Sequence, residues 1–259
     1  MDTQPQLGTL AAALATGQVE IVDLTAPLSE RTPVIVLPPD RGQAWAFSRS
    51  EISHYDDRGE HVYWNNFRMS EHSGTHFDAP VHWLSGRAGI DVSQVPPVDL
   101  LAPALVMDFS EQVATDEEFL LRVDDVLRWL DVHGPVTQRS WLLYRTGWDV
   151  RSPDPERFLN ERRTPGVHPQ CAQWLADQPW LIGLGVETVG TDAGRAAEFE
   201  PAFPCHWYLH GAGKYGLTQL QSLARLPARG ALLVVSPLPI VGGSGSPARV
   251  YALVETGGS

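Results

Sequence analysis

Between Glu71 and Trp83 the chain reads Glu-His-Ser-Gly-Thr-His-Phe-Asp-Ala-Pro-Val-His-Trp, and this stretch constrains the fold more than any other. Three histidines and an aspartate, His72, His76, Asp78 and His82, fall within eleven residues. Imidazole and carboxylate together suit zinc, manganese or iron, and no thiolate competes among them. Extended at ~3.3 Å per residue, His72 and His76 would stand about 13 Å apart. They could not then reach one ion, because zinc–nitrogen bonds are only about 2.0–2.1 Å. A shared ion requires a turn between them, and Gly74 permits a sharp one. His76 and Asp78 are two apart and share one side of an extended segment. Pro80 cannot donate to a sheet ladder, so a central strand stops there, and a second bend would bring His82 back over the ion. The expected arrangement is a turn, a short strand and a loop, with His72, His76 and Asp78 as ligands and His82 beside them as acid/base. The helical zinc-protease pattern H-E-x-x-H is excluded, because Ser73 and Gly74 follow His72 and glycine disfavours a helix interior.

Short apolar runs rich in Val, Leu and Ile predict strands at 20–24, 104–109, 140–145, 181–187, 231–236 and 248–254. Leu7, Leu10, Ala11 and Leu14 share one face of a short amphipathic helix over 5–17. Asp124 is expected to cap a helix reaching Leu130–His133, with Gly134 ending it. A second helix is expected from His168 to Asp177. Thr218 and Gln221 have the T-x-x-Q spacing of a capping box opening a third, over 219–224. Strands interspersed with few helices indicate an α/β or α+β class. No repeat, low-complexity tract or linker divides the chain, so one domain over 1–259 is expected.

The chain carries a net charge of −12 and a pI near 5.1. An acidic surface repels phosphate backbones and anionic lipid, so neither nucleic acid nor a membrane surface is an expected partner. Its longest apolar stretches fall short of the ~20 residues that span a bilayer. Met1–Pro5 shows no basic segment leading into an apolar core. With only Cys171 and Cys205 present, reduced thiols in the cytoplasm are the expectation. Residues 211–216 form a G-x-G-x-x-G, but no strand is read before them and 217–235 hold no Asp or Glu, so a tight loop beside the site is expected rather than a dinucleotide fingerprint. Nine tryptophans include several near the motif, and flat faces suit a small planar aromatic substrate. Trp64 and Trp83 rank as candidate walls above Phe77, which alternates with His76 and Asp78 and should point away. The Gly242–Pro247 loop fits an interface, a pocket rim or a turn between two late strands.

The pattern H-x-G-T-H-x-D-x-P-x-H resembles the signature of the cyclase-like metal-dependent hydrolases, a family that includes kynurenine formamidases and isatin hydrolases. The resemblance extends to Val22–Thr25, Trp64–Phe67, Arg145–Trp148, Gly185–Thr188 and Pro204–His206, and the run Thr75–Trp83 is closest to the isatin hydrolase branch. It implies a swivelling β/β/α architecture with a barrel-like sheet, a homodimer or homotetramer, and hydrolysis of a cyclic amide. The alternatives are an arylformamidase acting on N-formylkynurenine, and a lactonase or dehydrating cyclase. In the formamidase branch a late His and a Glu twelve residues on help to hold a second zinc. His206 matches that His, but Thr218 stands where the Glu would be. One divalent ion per site, Mn2+ or Zn2+, is therefore expected. His206, His210, Lys214 and Gln219 are expected to face the substrate. The implied chemistry is a water acidified by the ion, with His82 moving the proton, since an imidazole of pKa about 6.5 works near neutral pH.

Overall fold

The apolar runs become the wall of a barrel. The computed structural model describes residues 6–257. Its strands are β1 (Val19–Asp23), β2 (Ser48–Asp56), β3 (Gly59–Arg68), β4 (His76–Asp78), β5 (Leu101–Asp108), β6 (Leu120–Leu121), β7 (Ser140–Arg145), β8 (Gly166–Val167), β9 (Leu181–Val186), β10 (Tyr215–Thr218), β11 (Ala231–Pro237) and β12 (Gly245–Glu255). Its helices are α1 (Gln6–Ala15), α2 (Ser110–Thr115), α3 (Val123–His133), α4 (Pro155–Leu159) and α5 (Pro169–Ala176). Seven strands close in the order β12-β11-β5-β7-β9-β10-β4, because β4 pairs with both β10 and β12, and β1 lies outside the ring on β12. The β5-β7-β9-β10 part is parallel and the rest antiparallel.

Alternation along the parallel strands divides the core in two. Trp141 and Leu143 point into the barrel with Phe77, Leu217, Leu233 and Val250. Leu142 and Tyr144 point outward, under Val126 and Trp129 of α3 and Cys171 and Leu175 of α5. Both faces of β7 and β9 are thus covered, which is why these strands read as near-continuous apolar runs. Gly183 and Gly185 on β9 leave room for Trp141 and Leu143, which a Cβ at either glycine would strike. The Trp141 indole is satisfied by Nε1–H donating to the Asp99 carbonyl at 2.9 Å.

All six expected strands are present, as β1, β5, β7, β9, β11 and β12. The expected helix at 168–177 is α5, with His168 and Asp177 as its caps. Gly134 ends α3 with φ +83. The α3 start differs: Arg122 is the flanking residue, and Asp125 accepts its backbone N–H at 2.8 Å, the reach-back that Asp124 cannot make from one turn position earlier. On α1 no residue is buried and Leu7 is 80% exposed, so its apolar face is not part of this core; Pro5, at the start of the expected helix, lies outside the described residues.

The expected helix at 219–224 does not form. Thr218 ends β10, Gln219 and Ser222 have φ of +54 and +59, and only a 3-10 turn follows at Leu223–Arg225. The Thr218 hydroxyl is engaged by His76 and is not free to cap a helix. Sequence reading also missed the β2–β3 hairpin. Its strands are exposed along most of their length and mix aromatic with charged side chains, and register shifts interrupt the pairing near Ser53 and Tyr55, so no clean alternation marks it.

Candidate metal centre

Gly74 turns the chain as its position suggested, with φ +66, and β4 follows it at the seam between β10 and β12. The strand is three residues long, because Pro80 opens a 3-10 turn, Pro80–His82. This bend returns His82 over the motif. Its ring stacks on His72 with centroids 3.8 Å apart, and the His72 and His76 rings meet edge-on at 5.3 Å. Asp78 is the hub: its Oδ1 lies 2.7 Å from His72 Nδ1 and 3.4 Å from His76 Nε2. Phe77 points the other way, against Trp141 and Tyr215, as alternation required.

The segment 203–218 closes the site from the other side. A π-helical turn over His206–His210 sets both histidines toward the motif, with His206 5.4 Å and His210 5.9 Å from the His82 ring. The glycine-rich run after it is the tight loop leading into β10, with Gly213 at φ +72. Asp192, unforeseen from the sequence, holds His206: its carboxylate accepts from Cys205 N at 2.7 Å and His206 N at 3.2 Å, and lies 2.5 Å from His206 Nδ1. Fourteen residues separate the pair, and no spacing rule marks such a contact. Trp83 packs on His206 at 4.8 Å and on Phe203 at 5.4 Å. The Gly242–Pro247 loop forms the rim, where Ser244 Oγ lies 2.8 Å from His72 Nε2.

Three expected substrate contacts sit elsewhere. The Lys214 ammonium donates to the carbonyls of Gln178 and Leu181, both at 2.8 Å, so it is tied to the turn between α5 and β9; only its backbone carbonyl reaches the cluster, at His210 Nδ1. Gln219 is buried, and its amide Nε2 points to the Pro33 carbonyl at 3.4 Å while its own carbonyl accepts from Thr75 Oγ1 at 2.8 Å. Trp64 lies on the β2–β3 hairpin, 55% exposed. Thr218, expected as a cap, presents its hydroxyl 2.8 Å from His76 Nδ1. The Arg145–Trp148 and Gly185–Thr188 runs serve one another: Glu187 Oε2 accepts from Thr146 N at 2.7 Å, Thr146 Oγ1 at 2.9 Å and Trp148 N at 3.1 Å.

Burial and charge set the protonation states. Burial alone would raise the Asp78 carboxyl, but the imidazoles of His76 and His72 beside it hold it well below 3.8. Burial pushes His82 down to about 2, against the pull of Asp78 and with help from His72, His206 and His210. Burial likewise takes His210 down to about 4. Burial opposes charge on His206 too, yet the Asp192 hydrogen bond and charge outweigh it and raise its pKa above 6.5.

The donor set suits a divalent cation. His72, Asp78 and His82, and likewise Asp78, His206 and His210, each offer one ligand atom per residue within 4.8 Å of the others. The Lys214 carbonyl accepts from His210 Nδ1–H at 3.0 Å, so Nε2 carries a lone pair, and that atom is buried with no hydrogen-bond partner. A buried acceptor without a donor is costly unless something positive meets it.

A family model described as Putative cyclase matches residues 22–193. An isatin hydrolase of Roseibium aggregatum is 41% identical over 261 residues, covering 98% of this chain and 99% of that one. A kynurenine formamidase of Geobacillus thermodenitrificans is 31% identical over 188 residues, 70% of this chain and 75% of that one. Among solved structures, an isatin hydrolase bound to the product analogue thioisatinate superposes with a TM-score of 0.95 at 40% identity, covering 99% of this chain and 100% of that one.

Proposed function

The chain belongs to the cyclase family, and from that premise we propose that it is a metal-dependent hydrolase that opens a small cyclic amide such as isatin to an aromatic keto acid. The observation that carries the reading is the meeting of His72, His76, Asp78, His82, His206 and His210 around one carboxylate, in a chain similar end to end to an isatin hydrolase. An arylformamidase acting on N-formylkynurenine is the second reading, favoured by the kynurenine formamidase relative. It is disfavoured by Thr218, which brings no carboxylate to the place where that branch has a Glu.

His72, His76 and Asp78 would hold one divalent ion, manganese or zinc. Bound there, the ion would polarise the substrate carbonyl and acidify a neighbouring water. Burial keeps His82 neutral and so able to accept a proton, but a pKa of about 2, not the 6.5 expected of a free imidazole, makes it a weak base that would take the proton only from a water already acidified by the bound ion. Once protonated in so desolvated a place it is a strong acid, and it passes the proton to the departing amide nitrogen. His206, whose charged form the Asp192 carboxylate favours, would offer a donor to the developing negative oxygen or the new carboxylate. Trp83 supplies a flat apolar wall beside them.

Self-association and a cytoplasmic location belong to the same reading. The β2–β3 hairpin exposes Tyr55, Tyr63, Trp64 and Phe67, a group of large apolar side chains that supports a dimer or tetramer. Cys171 and Cys205 are both free and buried, in keeping with reducing surroundings. Among the described residues no helix is long and apolar enough to cross a membrane.

The test is metal content per chain in protein purified without chelator, joined to turnover of isatin and of N-formylkynurenine with manganese or zinc added. About one equivalent of metal with isatin opening supports the proposal. About two equivalents with formamide cleavage would move the chain to the second reading, and protein that takes up no metal and turns over neither substrate would overturn both.

A further inference from the structure

We propose that Glu71 and Ser244 form a positioning relay that locks His72 in its Nε2–H tautomer and so assigns Nδ1 as the atom with which His72 ligates. The inference rests on the metal-site reading above and adds two residues to it, neither of which the motif spacing singled out.

Glu71 Oε2 accepts from Ser244 N at 3.0 Å and from Ser244 Oγ at 2.8 Å. A serine hydroxyl has one hydrogen and two lone pairs. With its hydrogen given to Glu71, Ser244 Oγ can only accept from its second neighbour, His72 Nε2 at 2.8 Å. Nε2 therefore carries the ring hydrogen. A neutral imidazole has one N–H, so Nδ1 is bare, and it stands 2.7 Å from Asp78 Oδ1. Two acceptors facing at that distance repel unless a cation lies with them, either a second proton on the ring or a metal ion. The contact thus has the polarity of a metal site, set from behind by the serine and the glutamate.

The surrounding chain keeps the relay in place. Ser244 O accepts from Ala79 N at 2.9 Å, so the loop is tied to the motif on both sides of its serine. At Gly245 the backbone passes so near the ring that a Cβ would lie 2.5 Å from His72 Cε1. The other ring nitrogens follow the same logic with simpler partners. His76 Nδ1 lies 2.7 Å from the Gly74 carbonyl, which takes its hydrogen and turns Nε2 toward Asp78. His76 thus has a backbone carbonyl behind Nδ1, with the Thr218 hydroxyl beside the ring, whereas His72 has a serine backed by a glutamate. Orienting partners of this kind are worth about 10–100-fold in metal affinity.

The experiment uses the full chain and variants S244A and E71A. The ring tautomer of His72 is read by long-range proton–nitrogen NMR on metal-stripped protein, and manganese and zinc affinities by calorimetric titration. The relay requires the Nε2–H form or the doubly protonated ring in the unsubstituted chain, never the Nδ1–H form. It also requires metal binding weakened about 10–100-fold in S244A and in E71A. S244T, which restores the hydroxyl, should recover most of that loss; equal thermal unfolding of S244A and the unsubstituted chain shows that lost folding is not the cause. An Nδ1–H His72, or affinities unchanged in both variants, would overturn the relay and leave the metal site standing. A chain that binds neither ion would sink the metal-site reading instead, while the tautomer still reports on the relay.

Discussion

Replacing Glu187 by Gln should remove a fall in stability that the unsubstituted chain shows as pH rises from about 4.5 to about 7. Glu187 is 1% exposed, at the end of β9 beneath the Arg145–Trp148 turn. Burial, with the charge of Asp149 adding to it, raises its pKa from 4.5 to about 7 against the pull of the Thr146 and Trp148 hydrogen bonds. The folded chain then holds a proton across a window in which the unfolded chain has lost it. Stability must decline wherever the folded state binds more protons. The contribution is fully present below 4.5 and is lost as pH rises through about 7. At 1.36 kcal/mol per pKa unit the gap amounts to roughly 3 kcal/mol. His82 and His210 act in the opposite sense, since their lowered pKa values let the chain gain stability as pH rises toward 6.5. The raw profile mixes these effects, and the difference between the unsubstituted chain and E187Q isolates Glu187. Urea unfolding of both proteins in steps from pH 4.5 to 8 measures it. The stability advantage of the unsubstituted chain over E187Q should shrink by roughly 3 kcal/mol across the series. Two parallel profiles would refute the reasoning and show that Glu187 is ionised in the fold throughout.

Three further outcomes are expected. Asp78→Ala should empty the site, because Asp78 is the carboxylate shared by both candidate ligand groups; full metal content in that variant would show that another set of residues binds the ion. His82→Ala should retain the metal and lower turnover about 10²–10⁴-fold, as loss of an acid/base group does; metal lost with it would make His82 a ligand. Gly245→Ala should cost about 1–3 kcal/mol of stability and weaken metal binding, because the new methyl would meet both His72 and the Phe77 carbonyl; thermal unfolding and metal analysis check it, and unchanged metal content would show that the ring can shift at no cost.

How far the sequence could be read depended on distance along the chain. The 72–82 segment was legible because its geometry is local. Gly74 and Pro80 act on the backbone within a few residues, and two-residue alternation separates His76 and Asp78 from Phe77 whatever lies around them. The barrel strands were legible because burial on both faces leaves no polar position to interrupt them. Thr218 and Gln221 show the limit. They have the spacing of a helix start, but a hydroxyl can serve a helix or a neighbouring imidazole, and only the approach of β4 to β10 chose His76. Lys214 differs for a like reason, since the carbonyls of Gln178, in the turn after α5, and of Leu181, at the start of β9, take its ammonium.

What the sequence determined by itself is therefore a local cradle of donors and the strands that hold it. What only the tertiary structure decided is which distant groups close around that cradle. Asp192 reaches His206 across a loop, and Ser244 reaches His72 across 172 residues of chain. Closing the barrel through β4, between β10 and β12, is what brings those loops to one seam. Short-range dihedral preferences act before any contact forms, whereas hydrogen-bond partners are allotted only when packing has fixed which polar groups are buried together.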